Sequence, residues 1–269
     1  MHATLQELVE HINPGDSLAL AADYSGCAMA AIFELMRRKT THLRLLGIPQ
    51  MGFQADMLIG AGCVSSIETA AVTLGEFGRA PRFTAAIQDG AIEILDATCP
   101  AIHAGLQAAE KGLPFMPLRG LLGSDLLTQR SDWKVMDNPF ANHDPIVLLP
   151  AIRPDVCLFH AAKADREGNV WIGVRRELML AAHASKQTLV SVEEICDENF
   201  LENEALAAGT IPALYVSAIC EIERGAWPLG LGASYEADAD HLRTYVQMAV
   251  TKAGFQDYLQ RYVYKMALV

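Results

Sequence analysis

Three loops of the sequence, residues 21–26, 97–100 and 119–125, contain residue types that could bind or activate a substrate. In the first loop, the hydroxyl groups of Tyr24 and Ser25 could hydrogen-bond to a substrate carboxylate. The same residue types also form turns, in which they satisfy nearby backbone groups. The sequence leaves both interpretations of this loop open.

The second and third loops offer an oxyanion site and a cation. Thr98 and Cys99 precede Pro100 at the start of a predicted helix, where free backbone N–H groups could face an oxyanion. Nothing nearby would activate the Cys99 thiol, so we interpret it as a packing or pocket residue. Arg119 could pair with a carboxylate or phosphate while Gly123 lets the backbone approach closely, although we favour a salt bridge from Arg119 to a surface acid.

The segments between these loops alternate between strand and helix patterns. Short apolar runs predict buried strands, and apolar residues at helical spacing predict helices. The predicted class is α/β, an open, mostly parallel sheet with helices on both faces, and its strand ends would gather the three loops. A turn at 165–169 predicts one hairpin. The predicted strands are 17–22, 43–48, 66–72, 92–95, 114–117, 146–151, 156–160, 170–173 and 188–192. The predicted helices are 5–11, 28–38, 80–89, 101–111, 177–185 and those after Asp238, and Met57–Ile59 opens a further helix or turn.

The composition of the chain limits the classes of function that it could have. The chain has 269 residues, 51% of them hydrophobic and 20% charged, and we predict a single domain over 1–269. A net charge of −11 without a basic cluster excludes nucleic acid and anionic membranes as partners. The sequence contains no secretory leader and no run of about eighteen apolar residues, so we expect a cytoplasmic protein. The six scattered cysteines predict reduced thiols, and we expect no metal site.

Several segments, taken in order, resemble the alpha subunit of family I coenzyme A transferases, which include glutaconate and 3-oxoacid CoA-transferases. The collinear set spans roughly residues 15–200 and agrees with the alternation of strands and helices. The resemblance implies the NagB/RpiA/CoA transferase-like fold. The segments are Asp56–Val64, Leu74–Phe83, Gly105–Ala109, Gly112–Pro117, Gly123–Leu126, Pro150–Val156, Ala164–Val170 and Val192–Ile195.

The resemblance also implies a mechanism and a partner. In this family a glutamate attacks an acyl-CoA thioester, and two-subunit members carry that glutamate in the beta subunit, after its second strand. Here the comparable loop, Gly47–Gly52, contains no carboxylate. We therefore expect no catalytic residue in this chain, a partner beta subunit in a heterodimer or heterotetramer, coenzyme A only as part of the substrate, and no bound cofactor.

The candidate residues for the substrate pocket and oxyanion site are Ala22, Tyr24, Ser25, Thr98, Cys99, Arg119 and Gly123, and the resemblance places the family's oxyanion-hole backbone donor in the Thr98–Cys99 loop. Glu76 is a possible acidic site residue, although we favour a capping role. Glu193 and Glu194 end a strand and are weaker candidates. Ala22 and Asp23 replace the family's usual Gly-Gly-aromatic sequence, so acyl specificity is not inferred from named family members.

Two other functions remain as alternatives. A hydrolase on the same scaffold would need a carboxylate to activate water, and some ring-opening hydrolases carry a glutamate where this chain has Thr98 and Cys99. A non-catalytic ligand-sensing domain would be accompanied by a DNA-binding module and a basic patch, neither of which the sequence contains. The absence of GxGxxG after a strand disfavours a dinucleotide-binding dehydrogenase.

Overall fold

A computed structural model describes residues 2–265 of the chain, and Met1 and residues 266–269 of the predicted domain lie outside the described residues. The strands are β1 (Ser17–Ala21), β2 (Leu43–Ile48), β3 (Val64–Thr69), β4 (Glu93–Asp96), β5 (Phe115–Leu118), β6 (Lys134–Asp137), β7 (Pro145–Pro150), β8 (Val156–Asp165), β9 (Val170–Trp171), β10 (Gln187–Cys196), β11 (Thr210–Ile211) and β12 (Ala218–Glu221). The helices are α1 (Leu5–Glu10), α2 (Met29–Arg37), α3 (Phe53–Gly60), α4 (Pro81–Asp89), α5 (Cys99–Glu110), α6 (Leu126–Gln129), α7 (Arg176–Ala184), α8 (Glu204–Ala207), α9 (Ala239–Ala249) and α10 (Lys252–Leu259).

A nine-stranded sheet forms the centre of the fold. Its parallel strands lie in the order β12, β10, β8, β1, β2, β3, β4. The predicted hairpin is confirmed, because β9 pairs antiparallel with the end of β8, and β11 pairs with β9. The strand order reverses between β1 and β8, since β2 to β4 continue on one side of β1 and the later strands on the other. Such a reversal opens a crevice at the carboxyl ends of the strands.

Both faces of the sheet are covered, which confirms the predicted fold class. Successive side chains of a strand point to opposite faces, and β1 contributes to both cores. Leu18 and Leu20 pack in a core that includes α1, α2, α3, α9 and α10. Ala19 and Ala21 pack in a second core that includes α5 and α7. Within residues 2–265, every helix is too short or too polar to span a lipid bilayer.

A separate antiparallel sheet, in the order β5, β7, β6, corrects the predicted alternation after α5. Strand positions at 114–117 and 146–151 are confirmed to within a residue, but these strands pair with each other instead of joining the parallel sheet. An apolar run specifies burial and not a pairing partner. β6 is exposed at each of its positions, so its sequence lacks the alternation that would predict a strand.

Helix α3 differs from its prediction at its start. Met57–Ile59 lie near its end and do not open it, because the helix begins at Phe53 after Gly52. Gly52 supplies no capping side chain, and the Asp23 carboxylate accepts the backbone N–H of Phe53 instead. This cap comes from the loop after β1, about thirty residues earlier, so local patterns could not predict it.

Candidate functional site

A cavity of about 470 Å³ lies at the carboxyl ends of β1, β2 and β3, on the side of the sheet covered by α9. We call it the strand-end cavity. It adjoins the point at which the strand order reverses, where open α/β sheets bind ligands. Its lining residues are Ala22, Asp23, Tyr24, Gln50, Met51, Phe53, Thr73, Leu74, Gly75, Glu76, Phe77, Arg175, Leu229, Gly230, Gly232, Tyr235, Glu236, Ala237, Leu242, Tyr245 and Val246.

The inner wall of the strand-end cavity is apolar. Met51, Phe53, Leu74 and Leu242 are buried there. The ring of Tyr245 packs edge-on against Phe53, with ring centroids 4.6 Å apart. Such a wall suits the hydrocarbon part of an acyl group, and the polar groups that could orient a substrate are few.

Three of these polar residues, Tyr24, Gln50 and Arg175, are in contact near the opening. Tyr24 has 54% of its surface exposed, and its hydroxyl oxygen accepts a hydrogen bond from Gln50 Nε2 at 3.3 Å. The guanidinium carbon of Arg175 lies 5.1 Å from the centroid of the Tyr24 ring, which is within the range of a cation–π contact. Residues from the loops after β1, after β2 and before α7 therefore meet at one place.

Asp23 precedes Tyr24 in the loop after β1, and its carboxylate binds the start of α3. Both of its carboxylate oxygens accept the N–H of Phe53, at 2.9 and 3.0 Å. A Cβ atom at Gly52 would overlap the same carboxylate, so glycine is required for this close approach. Burial raises the pKa of Asp23 to about 7, while the Phe53 N–H opposes the rise and the Asp56 carboxylate adds to it.

Replacing Asp23 by asparagine should change how stability depends on pH. The pKa of Asp23 rises from 3.8 in an unfolded chain to about 7 in the folded one. Its proton therefore stabilises the fold fully below pH 3.8, and this contribution is lost as the pH rises through 7. The slope is about 1.4 kcal/mol per pH unit between these values. Asparagine can still accept the Phe53 N–H but does not titrate. As the pH rises from 5 to 7, the free energy of unfolding of Asp23→Asn should therefore increase by about 2 kcal/mol relative to that of the wild type. Urea unfolding at several pH values measures this, and parallel curves for the two proteins would contradict the raised pKa.

A partly buried hydrogen-bond network holds Tyr235, one of the residues that line the cavity. Glu193 Oε1 accepts from the Tyr235 hydroxyl at 2.7 Å and from His160 Nε2 at 2.7 Å. Its Oε2 accepts the backbone N–H of Arg224 at 2.8 Å, and His160 Nδ1 lies 2.8 Å from Ser191 Oγ. Burial raises the pKa of Glu193, but these hydrogen bonds together lower it to about 2. The carboxylate thus stays ionised and fixes Tyr235, which lines the cavity.

The first predicted loop lies at the strand-end cavity. Ala22 and Tyr24 line it, and so does Glu76, which is exposed near its opening. Ser25 does not line it: its side chain is buried, and its hydroxyl donates to Glu177 Oε1 at 2.5 Å. The loop therefore contains both a residue that faces the cavity and a residue that satisfies local polar groups.

The other two predicted loops lie elsewhere. Thr98 caps α5, its hydroxyl accepting the Ala101 N–H at 3.3 Å, and Cys99 is exposed beside it at the end of β4. Arg119 pairs with Asp144 through two hydrogen bonds of 2.9 and 2.5 Å, which lower the pKa of that carboxyl to about 2. Gly123, at a φ of 76°, follows in the same loop near the small sheet. None of these four residues is among the described residues that line the strand-end cavity.

The sequence analysis did not identify Gln50, Arg175 and Tyr235 as site residues. Gln50 had a usable signal, since it follows β2 at the edge where parallel strands end. Arg175 precedes α7, and Tyr235 belongs to an irregular segment between β12 and α9. Their positions depend on long-range contacts that no local pattern encodes.

Comparisons with known proteins agree with the observed fold. A family model described as coenzyme A transferase matches residues 2–221. The chain is 32% identical, over 269 residues, to one subunit of the 3-oxoadipate CoA-transferase of Pseudomonas knackmussii, covering 97% of this chain and 92% of the relative. The crystal structure of glutaconate coenzyme A-transferase from Acidaminococcus fermentans is similar at a TM-score of 0.90 and 26% identity, covering 98% of this chain and 89% of that chain. The crystal structure of a variant of the decarboxylase AibA/AibB is similar at a TM-score of 0.83 and 27% identity, covering 97% of this chain and 98% of that chain.

Proposed function

Because the chain belongs to the coenzyme A transferase family, we propose that it is the alpha subunit of a heteromeric enzyme that transfers coenzyme A between carboxylic acids. In this proposal the strand-end cavity receives the acyl group, and a beta subunit supplies the catalytic glutamate. Two relatives that are themselves named as single subunits of a CoA-transferase support this assignment.

The observation that carries the proposal is the position of Gln50. It follows β2 and lines the strand-end cavity. In the catalytic subunit of the family, the loop after the second strand holds the nucleophilic glutamate. An amide at this place cannot attack a thioester to form an acyl anhydride, and in this proposal the nucleophile comes from the beta subunit.

The carboxylates near the cavity have other roles in this proposal. Asp23 is occupied by the N–H of Phe53, and Glu193 is occupied by three donors. Glu76 lines the cavity and its side chain forms no hydrogen bond or ion pair within residues 2–265, but it is exposed to water. Of these three carboxylates, Glu76 is therefore the candidate nucleophile that a variant has to test directly.

The reaction then divides between the two chains. The beta-subunit glutamate attacks the acyl-CoA carbonyl carbon and displaces the coenzyme A thiolate, which leaves an acyl-glutamyl anhydride. The thiolate attacks the glutamyl carbonyl, releases the first carboxylate and forms an enzyme thioester. A second carboxylate accepts coenzyme A by the reverse steps. This chain binds the acyl group against the apolar wall formed by Phe53, Leu74 and Leu242 and keeps it oriented.

Co-expression with the chain encoded by the neighbouring gene tests the proposal. Transfer of coenzyme A would be assayed with acetate, succinate, glutaconate and 3-oxoacids as acceptors, with this chain alone as the control. We expect exchange only in the complex, and a loss of at least about a thousandfold when the partner's glutamate is replaced. Glu76→Gln in this chain should retain exchange within about tenfold.

Three outcomes would contradict the proposal. Exchange by this chain alone, or its abolition by Glu76→Gln, would move the nucleophile into this chain. Thioester hydrolysis without exchange would favour a hydrolase on the same scaffold. Ligand binding by a complex that neither exchanges nor hydrolyses would favour a sensor.

A further inference from the structure

We propose that the buried part of the strand-end cavity is an acyl-chain subsite for apolar monocarboxylic acids of about six to eight carbons, and that it disfavours dicarboxylic acids of the same length. This inference rests on the proposed function and specifies its substrate class. It makes Leu242 and Val246 of α9, which line the cavity, residues that determine the preferred chain length.

The first reason is the size of the cavity. Its volume of about 470 Å³ is about fifteen times the volume that a water molecule occupies in the liquid. An acetyl group would leave most of this space without contacts, and a wall that lacks contacts loses dispersion attraction. A longer apolar chain should therefore bind more tightly until the cavity is full.

The second reason is the chemistry of the buried lining residues. Those that the structure describes as buried are Ala22, Met51, Phe53, Leu74, Leu229, Leu242 and Tyr245. All of them except Tyr245 have apolar side chains, and the Tyr245 hydroxyl already donates to Asp56 Oδ2 at 2.5 Å. A second carboxylate at this wall would therefore lose its hydration without gaining a hydrogen bond from these side chains.

The third reason is where the charged groups of the lining lie. Arg175 contacts the exposed ring of Tyr24 near the opening, and the reacting carboxyl also has to stay near the opening, where the beta-subunit glutamate would reach it. The rest of the acid then extends inward, towards the buried wall. The carboxylate at that wall is Asp23, which binds the N–H of the buried Phe53. A dicarboxylic acid would thus bring its second charge towards an acid and away from the cation.

A series of acceptor acids in the two-subunit complex, with acetyl-CoA as the donor, tests the subsite. We expect kcat/KM to rise about fourfold for each methylene group from butanoate to octanoate, the factor that corresponds to burying one methylene group. Adipate has the same chain length as hexanoate and should have a kcat/KM at least about 100-fold lower. A rate that does not depend on chain length, or a preference for adipate over hexanoate, would overturn the subsite.

Variants of Val246 test whether α9 limits the chain length. Val246→Phe should lower the ratio of kcat/KM for octanoate to that for butanoate about 100-fold, because the larger ring occupies space that the longer chain needs. Val246→Ala should raise the ratio for decanoate to octanoate about fourfold, and it keeps the test available if the larger side chain prevents folding. Unchanged ratios in the folded variants would overturn the assignment of α9.

Val250→Phe is the matched control for Val246→Phe. Val250 lies at the end of the same helix, has 65% of its surface exposed and is not among the described residues that line the cavity. The same substitution there should leave the chain-length preference unchanged. An equal change of preference in both variants would mean that the effect does not come from the cavity.

A binding measurement separates failure of the subsite from failure of the proposed function. If the complex exchanges no acid, the proposed function fails, and calorimetry with hexanoate and adipate still decides the subsite. Tighter binding of hexanoate than of adipate, weakened by Val246→Phe, supports the subsite. Equal binding of the two acids, or binding of hexanoate that no Val246 variant changes, overturns it.

Discussion

Replacing Gly26 by alanine should destabilise the fold by about 3 kcal/mol, because two separate costs add at this position. Gly26 ends the loop after β1 and has a φ of +75°, a conformation that side chains with a Cβ rarely adopt. A Cβ atom there would also overlap the backbone carbonyl oxygen of His160 on β8. The His160 N–H donates to the Gly26 carbonyl at 2.7 Å, so the two backbones cannot separate without losing that bond.

Gly62→Ala is the control for Gly26→Ala. Gly62 has the same φ of +75°, but a Cβ atom there would meet no atom within 4 Å. It should therefore incur only the backbone cost, about 1 kcal/mol. Urea unfolding of both variants measures the difference. Equal losses would mean that the overlap with the His160 carbonyl oxygen is relieved without cost to stability.

Strands β1, β2, β8 and β10, at the centre of the sheet, could be predicted because their residues are largely buried on both faces, whereas β11 and β12 were not predicted. Such strands appear in the sequence as short, nearly continuous apolar runs. The second strand, Leu43–Ile48, has the limits that the sequence indicates. Prediction fails where burial is incomplete, as in β6, or where pairing decides the architecture, as for β5 and β7. In those strands the residue pattern is the same for several possible partners.

Only part of the candidate site could be predicted. Some predicted residues that follow a central strand line the cavity, whereas those that follow an edge strand do not. Tyr24 follows β1 at the reversal of strand order, whereas Thr98 follows β4 at the edge of the sheet. Both follow parallel strands, and the sequence cannot show which strand lies at the centre. Arg119 follows β5, which is not part of the parallel sheet at all. Whether these residues act on the substrate together with a beta subunit stays a prediction.

Replacing Glu193 by alanine should destabilise the chain by about 3 kcal/mol and loosen the wall of the strand-end cavity. The change leaves His160 Nε2, the Tyr235 hydroxyl and the Arg224 N–H without their acceptor. His160 is buried, so no solvent can replace the lost partner there without a local opening. In the complex, the KM for the acid should rise more than kcat falls, because Tyr235 lines the cavity and is not placed to react.

Glu194→Ala is the matched control for this network, and the pH dependence gives a second test of the Glu193 carboxylate. Glu194 is the next residue and is exposed, and within residues 2–265 its carboxylate accepts only from Cys196 Sγ, at 3.5 Å, so its loss should change stability by less than about 0.5 kcal/mol. The pKa of Glu193 is lowered from 4.5 to about 2, so its contribution is present above pH 4.5 and is lost as the pH falls through 2. The stability difference between the wild type and Glu193→Ala should therefore narrow between pH 5 and 2. A stability difference that stays constant with pH would mean that packing, and not the ionised carboxylate, holds this wall. Equal losses of stability in Glu193→Ala and Glu194→Ala would mean that the hydrogen-bond network of Glu193 does not stabilise the cavity wall.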